Sequence, residues 1–206
     1  MFLHKTPWIV QKLYPSLTWR RNQRQTIYLT FDDGPIPVLT PFIQNTLKDF
    51  EIKATFFCVG DNLRKYQEIA QESFQRGHKI ANHTYNHLNG WKTNKIDYLN
   101  NIEQCKNIIK KLGDTGRLFR PPYGRISKGQ ISQVKKKYEI VMWDVLTGDF
   151  SSNLKPLDCL QNSINATNHG SIVLFHDNIK AEKNLRYCLP RFIEYFMKQD
   201  FQFGTL

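Results

Sequence analysis

Short apolar runs alternate with longer stretches of helical periodicity along this 206-residue chain. The runs are rich in β-branched and aromatic residues, which is typical of strands, and some are apolar throughout, which indicates cover on both faces. The predicted strands span residues 26–31, 54–59, 79–81, 118–119, 139–143, 171–175 and a short segment near residue 201. The predicted helices span residues 37–50, 61–77, 95–112, 127–137, 156–166 and 185–197. Such alternation predicts parallel strands in one α/β domain.

Two local predictions concern how these elements end. Asp61 directly follows Gly60, which closes a strand, and its carboxylate is expected to cap the helix that runs to Gly77. Residues 144–153 are mostly polar and are expected to form a loop.

Polar clusters follow five of the predicted strands. They are Asp32-Asp33, His83 to His87, Arg120 to Tyr123, Asp149 and His176. The carboxyl ends of the strands of a (β/α) barrel meet at one face, where active sites are built. An open doubly wound sheet would instead spread these ends along an edge. We therefore expect a distorted, incomplete (β/α) barrel of about seven strands.

Composition narrows the class of protein. Hydrophobic residues make up 40% and aromatic residues 13% of the chain, and no apolar run approaches the roughly 20 residues that cross a bilayer. The formal net charge of +11 indicates attraction to anionic surfaces, but the basic residues form no nucleic-acid-binding motif, so no nucleic acid partner is expected. The cysteines lack metal-site or disulfide spacing and are expected to be reduced packing residues; they are Cys58, Cys105, Cys159 and Cys188.

The first 25 residues contain five Lys or Arg, no acidic residue and a loosely amphipathic run. We expect residues 1–24 to form a basic extension of a domain that covers residues 25–206. Packing across the bottom of the barrel is the favoured interpretation, and peripheral contact of residues 1–25 with an anionic membrane is the alternative. The run has no clear export signal, which favours a cytoplasmic location with membrane association left open.

His83 and His87 are four residues apart, a spacing that lets both imidazoles bind one metal ion. Asp32 and Asp33 lie at the carboxyl end of another strand. An Asp added to two His gives the ligand set of an open hydrolytic metal site. The residues alone do not say which Asp would be the ligand.

Five motifs, in order, resemble those of the polysaccharide deacetylases of carbohydrate esterase family 4, the NodB homology domain. They are Thr30-Phe31-Asp32-Asp33-Gly34, His83-Thr84-Tyr85-Asn86-His87, Arg120-Pro121-Pro122-Tyr123, Asp149-Phe150 and Leu174-Phe175-His176. The resemblance covers about residues 25–206 and implies a distorted (β/α) barrel. It also implies a hydrolase that removes acetyl groups from N-acetylglucosamine-containing polysaccharide, oligosaccharide or peptidoglycan by direct attack of a metal-bound water.

By matching position, the resemblance implies that Asp33, His83 and His87 bind one divalent metal ion, zinc first, with cobalt, nickel or manganese as alternatives. Asp32 would be the general base that accepts a proton from water whose pKa the metal lowers from about 16 towards roughly 7. Arg120 would pair with Asp32 and keep it ionised.

The resemblance also assigns the acid side of the reaction. His176 would protonate the leaving amine, and Asp149 would orient it and favour its charged form; Asp144 is a lower-ranked partner for the same histidine. The main-chain N–H of Tyr123 would donate to the oxyanion of the tetrahedral intermediate.

The implied substrate pocket consists of Thr84, Pro122, Trp143, Phe150 and Leu174, with Thr84 also orienting the histidine loop. Phe150 departs from the family, which often has Trp at this position. Phe keeps the apolar wall but lacks the indole N–H donor.

Two other functions compete with deacetylation. The first is a glycosidase that uses Asp32 and Asp33 as its acid pair. A glycosidase needs carboxylates about 5–9.5 Å apart, whereas the Cα atoms of adjacent residues are about 3.8 Å apart, and the two histidines would have no role, so this function is disfavoured. The second alternative is a degenerate, non-catalytic member that binds carbohydrate.

Overall fold

The computed structural model describes residues 3–206. Its strands are β1 (Thr26–Asp32), β2 (Thr55–Cys58), β3 (Lys79–Asn82), β4 (Leu118–Phe119), β5 (Glu139–Ile140), β6 (Val145–Leu146), β7 (Ile172–His176) and β8 (Gln202–Gly204). Its α-helices are α1 (Trp8–Leu13), α2 (Leu39–Asp49), α3 (Gly60–Lys65), α4 (Gln67–Gln75), α5 (Lys95–Lys111), α6 (Lys128–Val134), α7 (Pro156–Ala166) and α8 (Glu182–Met197).

The strands form one parallel sheet in the order β5-β4-β3-β2-β1-β7-β6, with β8 beside β1. The sheet curls so far that its edge strands β5 and β6 are separated only by residues 141–144 of the same chain segment. The Val141 N–H bonds to Phe119 at one edge, and the Asp144 N–H bonds to Ile172 at the other. The expected incomplete barrel of about seven strands in a single domain is confirmed.

The amino-terminal segment covers the seam between these two edges. Lys5 pairs antiparallel with Val145, and Thr18 pairs parallel with Val141. Cover of this kind satisfies edge groups that would otherwise be open to another strand. The boundary between a 1–24 extension and a 25–206 domain stays a prediction, and residues 1 and 2 lie outside the described part of the chain.

Successive side chains of β1 point alternately to the core between sheet and helices and to the inside of the barrel. Leu29 and Phe31 belong to the large cluster between sheet and helices. Tyr28 belongs to a smaller cluster inside the barrel. Because side chains alternate with a period of two, Thr30 and Asp32 continue the inner row, and the carboxylate of Asp32 arrives inside the barrel at the carboxyl end of β1.

Two local predictions are wrong. Val145 and Leu146, inside the expected loop, form β6 because β7 offers them a parallel partner, which their short apolar run does not indicate by itself. Asp61 does not cap a helix, since α3 already begins at Gly60. The single helix expected to run to Gly77 is also interrupted at Tyr66, which separates α3 from α4. The Asp61 carboxylate instead pairs with the following basic residues, Arg64 and Lys65.

The four cysteines are buried and free, which agrees with their predicted role as reduced packing residues.

Candidate active site

Both aspartates at the end of β1 reach the same side of the barrel mouth. Asp33 follows the strand with a positive φ of 87°, so its side chain leaves the alternation that would point it away from Asp32. The nearest carboxylate oxygens of Asp32 and Asp33 lie 3.7 and 3.5 Å from Nε2 of His83. The turn after β1 therefore brings the two carboxylates together.

The histidine loop after β3 is held by two buried asparagine side chains. Asn82 Oδ1 accepts from the Thr84 N–H at 2.9 Å. Asn101 Oδ1 accepts from the N–H groups of Tyr85 and Asn86 at 2.8 and 2.9 Å. Such bonds replace the strand pairing that the loop backbone has left, and they fix where the two histidines point.

Helix α3 supports the same loop from the neighbouring strand end. The N–H groups of Gly60 and Asp61 donate to the carbonyls of Thr84 and Tyr85, each at 3.0 Å. These are the unpaired first-turn donors of α3, so the loop backbone caps the helix in place of a side chain. A Cβ on residue 60 would lie 2.6 Å from a Tyr85 ring carbon and 3.0 Å from its Cα, which explains the glycine.

Four of the eight non-glycine residues with positive φ in the described chain lie at this site. Asp33, Thr84, His87 and Tyr123 have positive φ values of 87°, 63°, 55° and 61°. Each such conformation costs a non-glycine residue on the order of 1–3 kcal/mol and persists only where the surroundings enforce it. The four residues come from three different strand ends.

The three predicted metal ligands converge. Oδ1 of Asp33 lies 3.0 Å from Nε2 of His87 and 3.5 Å from Nε2 of His83, and the donor atoms all lie within 4.8 Å of one another. Ligands that share a cation at bonds near 2.0–2.2 Å are about 2.8–3.6 Å apart at angles of 90–109°. Nδ1 of His83 contacts the Arg120 carbonyl at 2.8 Å, and since a carbonyl only accepts, Nδ1 carries the proton and Nε2 has a lone pair for a metal. The donor set therefore fits a divalent cation.

The sequence did not reveal two asparagines that hold Asp33. Asn178 Nδ2 donates to Asp33 Oδ2, and Asn178 Oδ1 accepts from the Ala181 N–H at 3.2 Å, so the amide cannot be flipped without losing both bonds. Asn62 Nδ2 donates to the Asp33 carbonyl at 2.8 Å. Asn178 lies two residues after His176, which is the one weak signal that could have pointed to it.

The pKa of Asp33 reflects its neighbours. Burial by itself would raise that pKa, but the neighbouring imidazoles of His83 and His87 lower it well below its usual value. The carboxylate therefore stays ionised, as a metal ligand must.

Arg120 is wholly buried inside the barrel and fixes Asp32. Nη1 donates to Asp32 Oδ1 at 2.7 Å and to Thr30 Oγ1 at 2.8 Å. Nε and Nη2 donate to the carbonyls of Val141 and Met142 at 3.2 and 2.8 Å. With Oδ1 held, Oδ2 is the oxygen of Asp32 that faces the three-ligand cluster.

His176, at the end of β7, is paired with Asp149 and not with Asp144. Its Nδ1 and its N–H contact the two oxygens of Asp149 at 2.8 and 2.7 Å. Burial would lower the pKa of His176, but Asp149, with smaller contributions from Asp33 and Asp32, raises it to about 9. Asp144 instead binds Lys5 and Ser171, each at 2.6 Å.

The predicted pocket residues differ in how far their side chains are exposed. Trp143 and Phe150 keep partly exposed side chains, and the Phe150 ring meets the His176 ring edge-on at 4.9 Å. Thr84 has no exposed surface, and its Oγ1 accepts from the Leu88 N–H at 3.0 Å. This bond makes Thr84 a brace within the histidine loop, and its contact with substrate stays a prediction.

Pro122 and Leu174 are buried, and their contact with substrate stays a prediction. The side chain of Tyr123 is 60% exposed and packs edge-on against His87, with ring centroids 4.7 Å apart. The oxyanion role of its N–H also stays a prediction.

Comparisons with known proteins agree with this site. A family model described as polysaccharide deacetylase matches residues 20–143. Over 200 residues the chain is 30% identical to a peptidoglycan-N-acetylglucosamine deacetylase of Bacillus cereus, which covers 92% of this chain and 91% of that protein. The crystal structure of the Bc1960 peptidoglycan N-acetylglucosamine deacetylase, solved with a naphthalenyl N-oxidanyl-benzamide, matches with a TM-score of 0.89 at 31% identity and covers 98% and 95% of the two chains.

Another Bacillus cereus protein of the same description is 37% identical over 153 residues, which is 73% of this chain. The matched part spans only 55% of that relative's own length. The family model covers more than half of the present chain, and the relative that matches nearly end to end is 30% identical. This chain belongs to the polysaccharide deacetylase family.

Proposed function

We propose that this protein is a metal-dependent N-deacetylase that releases acetate from N-acetylglucosamine-type sugars of peptidoglycan. The observation that carries the proposal is the three-ligand cluster with an aspartate and a histidine beside it. Asp32 and His176 are register partners on the adjacent strands β1 and β7. One is held by a buried arginine and the other by a buried aspartate, as an acid and a base with separate tasks require.

Asp33, His83 and His87 would hold the metal, and zinc suits two imidazoles and one carboxylate best, with cobalt, nickel and manganese as alternatives. A cation bound there supplies Lewis acidity and lowers the pKa of water at its open position from about 16 towards roughly 7. Three protein ligands leave such a position open.

Asp32 acts as the base in this proposal. Its Oδ1 is occupied by Arg120 at 2.7 Å, so Oδ2 takes the proton when water adds to the acetamide carbonyl. The positive charge of Arg120 favours the ionised form of the aspartate before that step. The N–H of Tyr123 is proposed to donate to the oxygen that becomes negative.

His176 acts as the acid. As the carbon–nitrogen bond breaks, Nε2 of His176 gives its proton to the departing nitrogen, and the products are acetate and a free amine. Asp149 keeps Nδ1 occupied at 2.8 Å, which leaves Nε2 for the transfer. No covalent bond between enzyme and sugar is required.

The proposal is tested by measuring acetate release from peptidoglycan fragments, chito-oligosaccharides and small N-acetyl amino sugars. We expect turnover on peptidoglycan fragments that stops with a chelator and returns with added zinc or cobalt. Binding of sugar without acetate release from any of the three would support the carbohydrate-binding alternative instead.

Activity is also expected to depend on the protonation of His176. Its pKa is raised from 6.5 to about 9, so the acid is charged below that value, and kcat/KM should fall as pH rises through it. A bound cation would offset the smaller contributions of Asp33 and Asp32, so the alkaline limb is expected at or below about pH 9. The same pairing stabilises the fold fully below pH 6.5 and is lost as pH rises through the folded-state pKa.

Asp149→Asn is the informative variant for this limb. It removes the largest influence that raises the pKa of His176, so the limb should move to lower pH. Asp144→Asn also removes a fully buried carboxylate but should leave the limb in place. An unchanged limb in Asp149→Asn would contradict the assignment of His176 as the acid.

A further inference from the structure

Helix α1 presents apolar side chains to solvent. Trp8, Ile9 and Leu13 are 63%, 53% and 69% exposed. At about 100° per residue they lie, together with Lys12, within an arc of about 140° on the helix surface. We refer to Trp8, Ile9 and Leu13 as the Trp8 face. Three large apolar side chains on one outward face form a patch of the kind that marks an interaction site.

The opposite side of α1 is the one that contacts the barrel. Gln11 Nε2 donates to the Thr6 carbonyl at 3.2 Å and to Asp144 Oδ1 at 3.3 Å. Val10 packs against the buried cluster that contains Leu17. The orientation of the helix is thus fixed by specific bonds, and the Trp8 face is outward because of them.

Cations border the Trp8 face. Lys12 Nζ lies 4.7 Å from the Trp8 ring centroid, and Trp8, Lys12, Arg20 and Arg21 line one groove. The side chains of Lys12 and Arg20 are exposed, Arg21 is paired with Glu139 at 2.8 Å, and residues 1–25 themselves contain no acidic side chain. Apolar groups framed by Lys and Arg are the composition of helices that lie in an anionic lipid interface.

We propose that the Trp8 face docks this protein on the surface of a membrane that contains anionic lipid. A second copy of the chain would bring the same cations against the face, and like charges oppose that contact. A soluble anionic polymer would pair with the cations but leave the apolar side chains uncovered. A lipid surface accounts for both the exposed apolar side chains and the cations, because Trp occupies the membrane interface and Lys and Arg contact the headgroups.

The contact is peripheral and leaves the active site free. Along residues 3–206, no helix combines the length and apolar character needed to cross a bilayer. Arg20 pairs with Ser171, just before β7 begins, and Gln11 contacts Asp144, just before β6 begins. The Trp8 face therefore lies near the amino ends of the strands, whereas the metal ligands lie at the carboxyl ends, which point away from the lipid.

The test is sedimentation of the full chain with vesicles of phosphatidylcholine that contain about a quarter phosphatidylglycerol. We expect the parent protein to bind these vesicles and to bind pure phosphatidylcholine much less. The variant Trp8→Ser/Ile9→Ser/Leu13→Ser should bind at least about tenfold more weakly. The charge variant Lys12→Gln/Arg20→Gln, which removes two cations of the groove beside Trp8, should lose most of the preference for anionic vesicles.

A matched control is Ile96→Ser/Leu157→Ser, which removes exposed apolar side chains, 68% and 60% exposed, from other surfaces. It should bind like the parent, and circular dichroism should report the same fold for all variants. Equal binding by the triple variant, or no binding by the parent, overturns the proposal. Self-association that disappears in the triple variant, without lipid binding, would assign the Trp8 face to a second copy. None of these readouts needs deacetylase activity, so a failure of the proposed function leaves them interpretable.

Discussion

His83→Ala is expected to remove bound metal and deacetylase activity together. Nε2 of His83 lies 3.5 Å from Asp33 Oδ1, and its loss leaves two of three ligands. Outer partners of metal sites are worth about 10- to 100-fold in metal affinity, so a direct ligand should cost more, and activity should fall by more than about 10²-fold. Metal content by elemental analysis and acetate release measured on the same sample provide the check.

A graded series sharpens this test. Asn178→Ala removes the donor to Asp33 Oδ2 and the acceptor for the Ala181 N–H but leaves all three ligands in place, so metal affinity should fall about 10- to 100-fold and excess metal should restore turnover. His169→Ala is the control, since His169 is exposed and lies against Phe201 outside the site. Full metal content in His83→Ala, or loss of metal in His169→Ala, would contradict the assignment of the ligands.

Much of the fold was predictable because its strands are short, apolar and separated by helical periodicity. Residues 55–58 and 172–175 are buried along their whole length, which their composition indicates. β6 was not predictable, because Val145 and Leu146 become a strand only through pairing with β7. The start of α3 depends likewise on carbonyls of a loop more than twenty residues further along the chain.

The candidate site was likewise only partly predictable from the sequence. Asp33, His83 and His87 could be named from spacing and motif, because side chains at neighbouring strand ends converge whatever the details of packing. Asn178, Asn62 and the burial of Thr84 could not, since each depends on a turn whose backbone angles no motif specifies. The residues predicted to bind a metal are thus more visible in a sequence than the residues that position them.

Asp32→Asn is expected to retain the metal and lose turnover by about 10²–10⁴-fold. Asn can still accept the Arg120 hydrogen bond at Oδ1, and none of the three ligands changes. It cannot take a proton from water, so the loss should appear in kcat with little change in KM. Metal content, kcat and KM measured on the purified variant provide the check.

The comparison must separate catalysis from folding. Asp32→Asn leaves the wholly buried Arg120 without its counter-charge, a change that can cost up to about 3–5 kcal/mol of unfolding free energy. Asp144→Asn removes a carboxylate that is equally buried and bound to Lys5 at 2.6 Å, but it lies away from the metal ligands and should retain turnover per folded molecule. If both variants lose turnover in proportion to their loss of stability, the carboxylate of Asp32 supports the fold and some other group accepts the proton.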